Sequence, residues 1–139
     1  MSLFTWSSIY SVGIEQIDRQ HRALIDRMNA LYDCHTREAP TSRTLAALDE
    51  LIAYTVKHFN WEEDAMRKAG YADFEAHAKH HAKLIEQIQQ IHDQLQSGAR
   101  TLDDNLMNFF KNWLQGHILG VDKKYSATLK AHQSTHPQA

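Results

Sequence analysis

The stretch FEAHAKHHAKLIEQIQQI (residues 74–91) combines two patterns that decide the fold. Its apolar residues Leu84, Ile88 and Ile91 recur every three or four residues, which is the period of an amphipathic helix. His77 and His81 are four residues apart and in phase with those apolar residues, so they share one face of the helix. The stretch therefore predicts a helix that turns two histidines towards the core.

The rest of the chain repeats this helical period and lacks the alternation that would predict strands. Breaks that contain glycine, proline and small polar residues fall at 38–42, 69–73 and 97–104. The apolar stripes of the other three segments are Ile17, Leu24, Ile25, Met28, Leu31 and Tyr32, then Leu45, Leu48, Ile52, Thr55 and Phe59, and finally Leu102, Leu106, Phe109, Phe110, Trp113 and Leu114. Four helices joined by short loops predict an all-α, antiparallel up-down four-helix bundle.

Local residues suggest where the helices begin and end. Asp18 is a candidate N-cap of the first helix, and Thr101 with Asp104 three positions later resembles a capping box for the fourth. Gly98 suits the C-terminal end of the third helix.

The length of 139 residues predicts a single domain, 1–139, with its own core. Residues 1–16 lack helical period and are expected to form an extended arm, packed by Phe4, Trp6 and Ile9. The bundle is expected to span about residues 17–133.

Composition excludes several classes of function. A net charge of −2 provides no field that would attract nucleic acid. No apolar run is long enough to span a membrane, and the N-terminus lacks the pattern of a secretory signal. The single cysteine, Cys34, excludes an internal disulfide and suits a reducing cytoplasm, where we expect the protein to be located.

Histidines and carboxylates recur at inward-facing positions on all four predicted helices. They are His21, His58 with Glu62, His77 with His81, and His117. A single inward histidine is more often a hydrogen-bonded core residue than a ligand, but this many buried imidazoles would leave many polar atoms to satisfy. A bound metal ion would take up their lone pairs. Asp122 follows His117 by five residues, and the two could share a metal only if the helix widens near Gly120.

These residues and their surroundings resemble the hemerythrin family, in particular its bacterial single-domain form. The likeness comprises His21, H58xxxE62, H77xxxH81 and H117xxxxD122, together with YSVGI (10–14), the run from Ile17 to His21, and the Trp113–Leu114 pair. It extends from Trp6 to Tyr125, which is nearly the whole chain.

The resemblance implies a metal site of two non-heme irons with an oxo or hydroxo bridge and O₂ as a ligand. One iron would be held by His77, His81 and His117, the other by His21 and His58 with an open position for O₂, while Glu62 and Asp122 would bridge the two irons. Imidazole and carboxylate together suit iron better than magnesium or calcium.

Trp113, Leu114 and Ile118 lie next to His117 in the sequence and would wall the O₂ pocket. An alternative interpretation of these three is ordinary core packing, and both can hold. His80 has no ligand counterpart and is expected to face outward. His35, His92, His132 and His136 match no family position and are expected at the surface, whereas Cys34 is expected to be a buried small residue.

The function predicted from this resemblance is reversible O₂ binding for oxygen transport, storage or delivery to an oxygen-consuming enzyme. We expect a monomer without catalytic activity. Two alternatives stay open, namely an oxygen sensor that acts through a partner and a di-iron oxidase or peroxide-handling enzyme. Oxygen-activating bundles use four carboxylates and two histidines, whereas five histidines and two carboxylates are present here.

Overall fold

The structure is a computed structural model that describes residues 5–11 and 13–117. Within these ranges the elements are a 3₁₀ turn at Ser8–Tyr10 and four helices, α1 (Glu15–Thr36), α2 (Thr41–Ala69), α3 (Phe74–Ser97) and α4 (Asp104–Gly116). No β-strand occurs in the described part of the chain. The helices form an antiparallel four-helix bundle, in which α2 packs against both α1 and α3, and α4 contacts α1. The predicted fold class is confirmed.

Helices α2 and α3 are each followed by a glycine in the left-handed backbone conformation. The residues after α2 and α3 are Gly70 and Gly98, with φ values of 69° and 80°. Backbone in this left-handed region is strained for residues with a Cβ, so glycine commonly follows the last helical residue. The predicted role of Gly98 is confirmed, and each glycine lets the chain reverse into the next helix.

The predicted starts of two helices are wrong. Helix α1 begins at Glu15, and its N-cap residue Ile14 makes no side-chain hydrogen bond. Asp18 lies inside the first turn, where its Oδ2 accepts a hydrogen bond of 2.5 Å from the Ser11 hydroxyl. This hydrogen bond connects the chain that precedes α1 to the first turn of the helix. Asp18 therefore accepts from Ser11 and does not cap the helix.

The N-terminus of α4 is capped by the residue before the predicted pair. Asp103 is the N-cap, and its Oδ1 accepts a hydrogen bond of 2.8 Å from the backbone N–H of Leu106. Asp104, the first residue of the helix, instead pairs with His35 of α1 at 2.7 Å. The predicted capping box of Thr101 and Asp104 is therefore corrected to a single aspartate cap.

The N-terminal arm is only partly extended. It contains the 3₁₀ turn at Ser8–Tyr10, and α1 starts two residues before the predicted limit at residue 17. Trp6 packs partly buried against the core, with its ring centroid 5.9 Å from that of the buried Tyr10. Phe4 and the side chain of Ile9 lie outside the described part.

The core consists of two apolar clusters of unequal size. The larger cluster includes Leu24, Met28, Leu31, Leu48, Leu51, Ile88, Leu106, Phe110 and Leu114, all at most 1% exposed. The smaller contains Ile14, Ile17 and Met66, with Trp61, Tyr71 and Phe74 packed against it. The buried apolar residues lie on the inner face of each helix, whereas Ala30, Ala53 and Ala82 are exposed. None of the helices described is long and apolar enough to cross a membrane.

A polar layer separates the two apolar clusters. On α1, Ile17 belongs to the small cluster and Leu24 to the large one, and His21 lies between them in the sequence. Because three- and four-residue steps return to the same helix face, the polar residue enters the bundle without disturbing the helix. The layer is completed by His58 and Glu62 on α2, His77 and His81 on α3, and His117 directly after α4.

Candidate metal centre

Six side chains of the polar layer are buried as deeply as the apolar core. Their exposed fractions are 0% for His21 and Glu62, 1% for His58 and His117, 2% for His81 and 5% for His77. Taking an ionisable side chain out of water costs free energy unless hydrogen bonds or a counter-charge replace the solvent. All six donors occupy the same layer, so their chemistry has to be considered together.

The carboxylate of Glu62 is the centre of this layer. Its Oε1 lies 3.0 Å from the Nε2 of His58, 3.4 Å from that of His117 and 3.5 Å from that of His81. One carboxylate oxygen therefore faces imidazole nitrogens that come from the second, third and fourth helices.

The donors fall into two groups that share Glu62. One group consists of Glu62, His77, His81 and His117, and the other of His21, His58 and Glu62. Within each group the ligand atoms all lie within 4.8 Å of one another. A separation of this size leaves room for an ion at the middle of each group, since metal–ligand bonds of about 2 Å span it from both sides.

The imidazole rings hold each other nearly perpendicular. His21 and His58 have ring centroids 4.9 Å apart at 71°, and His77 and His81 have centroids 4.4 Å apart at 87°. The ring of Phe59 stacks on that of His81 at 3.7 Å and 1°, which fixes the plane of this imidazole. With these ring angles, the ring nitrogens of each group lie within 4.8 Å of one another, as the ligands of a single ion do.

Two histidines have polar partners on the outer side of the layer. The Nδ1 of His58 lies 2.5 Å from the Oε1 of Gln20, and the Nδ1 of His81 lies 3.3 Å from the Oε2 of Glu63. Burial raises the pKa of Glu63, and the neighbouring His77 and Arg67 act against that rise. Sequence reasoning missed both partners, although Gln20 stands directly before His21 and Glu63 directly after Glu62.

The donor set fits metal ions on its own chemistry. His81 has carboxylates near both ring nitrogens, Glu63 at Nδ1 and Glu62 at Nε2. A neutral imidazole donates from one nitrogen and presents a lone pair at the other, so in the neutral form one of these contacts joins two acceptors and needs an added proton or a metal ion. A cation between Nε2 and Glu62 removes that repulsion. Buried imidazole with carboxylate suits iron, zinc and similar metals better than magnesium or calcium.

Comparison with known proteins identifies the family. The family model for the hemerythrin HHE cation binding domain matches residues 12–129. The chain belongs to the hemerythrin family. It is 35% identical over 136 residues to a bacteriohemerythrin of Stenotrophomonas maltophilia, covering 95% of this chain and 85% of that protein. It is also 35% identical to a bacteriohemerythrin of Methylococcus capsulatus, covering 94% of this chain and 100% of that protein.

Solved hemerythrin structures agree with the fold. A crystal structure of a leucine-to-tyrosine variant of hemerythrin superposes with a TM-score of 0.87 at 34% identity, covering 93% of this chain and 98% of that one. Wild-type hemerythrin gives a TM-score of 0.86 at the same identity. The architecture that holds the buried histidines is therefore the hemerythrin bundle.

Two of the predicted site residues in this hemerythrin-family chain, Asp122 and Ile118, lie outside the described residues. His117 directly follows α4 in a right-handed helical conformation, and its backbone N–H donates to the carbonyls of Leu114 and Trp113. The interval around Gly120, where a wider turn is predicted, lies outside the described residues. Of the predicted pocket residues, Leu114 is fully buried and Trp113 is 9% exposed, with its ring centroid 6.2 Å from that of His117. Trp113 is thus adjacent to the cluster, and its predicted role in an O₂ pocket stays a prediction.

The remaining histidines are placed apart from the six clustered donors. His80 is exposed, as predicted, although its ring stacks at 6.1 Å on that of His117. His35 and His92 are only partly exposed, because each pairs with an aspartate, Asp104 at 2.7 Å and Asp49 at 2.8 Å. The prediction that these two histidines lie at the surface is therefore confirmed only in part. Cys34 is buried, as predicted, whereas His132 and His136 lie outside the described part.

Proposed function

We propose that this chain binds O₂ reversibly at a pair of non-heme iron ions with an oxo or hydroxo bridge. The observation that supports this most directly is that Glu62 belongs to both groups of buried donors. A carboxylate common to two groups is suited to bridge two ions, and membership of the hemerythrin family supports iron as the metal.

Each group would hold one ion. His77, His81 and His117 would ligate the first, and His21 and His58 would ligate the second. Glu62 would bridge the two, together with Asp122. The second ion would have one protein ligand fewer, so an open position for O₂ would remain there. When bound, the iron pair supplies the two electrons that O₂ takes up reversibly.

The surrounding side chains would protect that open position. Leu114 is fully buried, and Trp113 and Phe59 have ring centroids 6.3 Å apart beside the cluster. Apolar side chains at this point exclude water and the protons that water delivers, so bound O₂ can leave again as O₂. Ile118 is proposed to extend the same wall.

The balance of donors favours binding over oxygen activation. The described part contains five buried histidines around one buried glutamate, and Asp122 would bring the carboxylates to two. Oxygen-activating di-iron bundles use four carboxylates, whose negative charge stabilises higher oxidation states of iron. We therefore propose an O₂ carrier, store or delivery protein and not an enzyme. The monomeric state, the cytoplasmic location and the oxygen-consuming recipient stay predictions.

The test is a visible absorption spectrum of the iron-loaded protein through repeated oxygenation. The protein is reduced without air, exposed to O₂, degassed and exposed again. The proposal expects a visible band that appears with O₂ and disappears on degassing over several cycles.

Zinc-loaded protein provides the control, because Zn²⁺ has no accessible redox change and should give no band. A single irreversible conversion that consumes O₂ without returning it would contradict reversible binding and favour an oxidase.

A further inference from the structure

A cavity lies at the end of the bundle opposite the candidate metal centre. It has a volume of about 390 Å³ and is lined by the end of α1, the start of α2, the end of α3 and the loop that precedes α4. Cys34, which lines the cavity, follows His21 by thirteen residues on the same helix, a separation of about 20 Å along the helix axis. The cavity is therefore distinct from the site of the buried histidines.

The buried part of the cavity wall is apolar. Leu45, Leu95 and Leu102 contribute to it, together with Ala39 and Cys34. Ligand pockets are commonly apolar clefts with a few polar groups, of about 300–1,000 Å³, and this cavity is at the lower end of that range. Its shape and lining therefore suit a small molecule with an apolar part.

One polar side chain in the wall is buried without a protein partner. Thr44 is 8% exposed, and its hydroxyl forms no hydrogen bond with any residue that the structure describes. Thr55, the other buried threonine of α2, instead donates its hydroxyl to the Leu51 carbonyl at 2.6 Å. Because buried hydroxyl groups are normally hydrogen-bonded, the Thr44 hydroxyl is available to a polar group of a ligand.

Two opposite charges lie at the exposed rim of the cavity. Glu38 and Arg100 both line it, and neither forms an ion pair with another residue in the described ranges. His35, which also lines the cavity, is already paired with Asp104 at 2.7 Å. A ligand with a single charge would meet a like charge at this rim, whereas a zwitterion would complement both charges.

The backbone of Glu38 is held in an unfavourable conformation. Its φ is 52°, and it is the one non-glycine residue with a positive φ among those described. Gly70 and Gly98 occupy the left-handed region near the ends of α2 and α3, where glycine avoids the strain of a Cβ. Such strain is found preferentially at functional sites, and here it retains a carboxylate at the rim of the cavity.

We propose that this cavity binds a small zwitterion of the α-amino-acid class that has an apolar side chain. Arg100 binds the carboxylate, Thr44 donates a hydrogen bond to it, and Glu38 binds the ammonium group. The apolar side chain packs on the three leucines of the cavity wall. Binding there requires neither the metal pair nor O₂, since no lining residue belongs to the six clustered donors. Failure of either proposal therefore leaves the other standing.

The experiment is calorimetric titration of the full chain with L-leucine and two analogues that share its apolar body. Isocaproate lacks the ammonium group of leucine, and isopentylamine lacks its carboxylate. L-leucine is expected to bind, and each analogue should bind at least about tenfold more weakly, because it loses a hydrogen bond to a charged group. Isocaproate that binds as tightly as L-leucine would refute the recognition of a zwitterion.

Two variants assign the charges of the rim. Glu38→Gln should weaken L-leucine about tenfold and leave isocaproate unchanged, whereas Arg100→Gln should weaken both ligands by a similar factor. Glu50→Gln and Arg43→Gln are the matched controls, since both residues are exposed on α2 and do not line the cavity. Equal losses in the controls would reduce the effect to general electrostatics and contradict the assignment.

A third variant separates binding from stability. Glu38→Gly should raise the midpoint of thermal unfolding, because glycine relieves the strain at a positive φ, but it should weaken L-leucine as Glu38→Gln does. Unchanged affinity for L-leucine in this variant would refute the role of Glu38.

The position of the ligand is measured separately, because an amino acid can also chelate a metal ion. In a chain with ¹³C-labelled leucine methyl groups, unlabelled L-leucine should shift the signals of Leu45, Leu95 and Leu102. The signals of Leu114, which lies beside the metal centre, should not change. Shifts confined to Leu114, or no binding at millimolar L-leucine, would overturn the proposal.

Discussion

The apolar clusters and the polar layer between them are equally buried but contribute to stability in opposite ways. Leu48 and Phe110 in the large cluster are fully buried, and so are His21 and Glu62 in the polar layer. Each buried leucine or phenylalanine stabilises the fold by about 1.5–3 kcal/mol, whereas a buried imidazole or carboxylate costs free energy unless partnered. The clusters explain why the chain folds, and the polar layer is explained by the ions it is proposed to bind.

The largest expected effect is the loss of the metal pair when one donor is removed. His77→Ala takes away an imidazole that lies within 4.8 Å of the ligand atoms of its group, and stable binding of two irons should be abolished. His80→Ala, in the same HAKHH stretch but exposed, is the matched control and should retain two irons per chain. Metal analysis after gel filtration measures both. Two irons retained in His77→Ala would overturn the ligand assignment.

The second effect is the dependence of stability on the metal. Binding to the folded state alone adds about 4 kcal/mol to the free energy of unfolding when the free metal exceeds its dissociation constant about a thousandfold. Chelation should therefore lower the midpoint of urea unfolding under anaerobic conditions. His77→Ala serves as the control, since loss of the iron pair should make its midpoint respond much less to the chelator. Equal urea midpoints for the metal-loaded and the metal-free unchanged protein would contradict the proposal that bound ions offset the cost of burying the polar layer.

The third effect tests the contribution of the large apolar cluster to stability. Leu48 on α2 is fully buried in the large cluster and lies ten residues before His58, about 15 Å along the helix axis. Leu48→Ala should lower the free energy of unfolding by about 3 kcal/mol, within the range for buried leucines, because it loses apolar burial and leaves a cavity. Denaturant unfolding measures the loss, and metal analysis should still give two irons per chain. A variant that keeps its stability but loses iron would reverse the assigned roles.

Much of the fold was predictable because one pattern is repeated on every helix. The spacing Phe74, His77, His81, Leu84 places two histidines on the same stripe as the core residues, and all but the partly buried Phe74 are buried. Inward orientation of the donors follows from this local geometry. Their convergence on Glu62 follows from the alignment of four helices, which the family resemblance supplied.

The partners behind the ligands were not predictable from helical period. Gln20 and Glu63 each neighbour a core-facing residue in the sequence, so they point about 100° away from it on the helix. Whether such a side chain meets solvent or an imidazole of another helix depends on the crossing of α1, α2 and α3. The same applies to His35 and His92, whose aspartate partners come from other helices.

The smallest expected effect concerns the start of α4, where the sequence offered two adjacent aspartates. Asp103 accepts the Leu106 N–H at 2.8 Å, while Asp104 points to His35 and is 91% exposed. Asp103→Ala should lower the free energy of unfolding by about 1 kcal/mol, the usual cost of losing an N-cap. Asp104→Ala removes the contact of a largely exposed carboxylate with the His35 ring and should cost less than about 0.5 kcal/mol. Equal losses in the two variants, measured by thermal unfolding, would contradict the assignment of the cap. Neither variant should alter iron content, because α4 reaches the polar layer only at its other end, at His117.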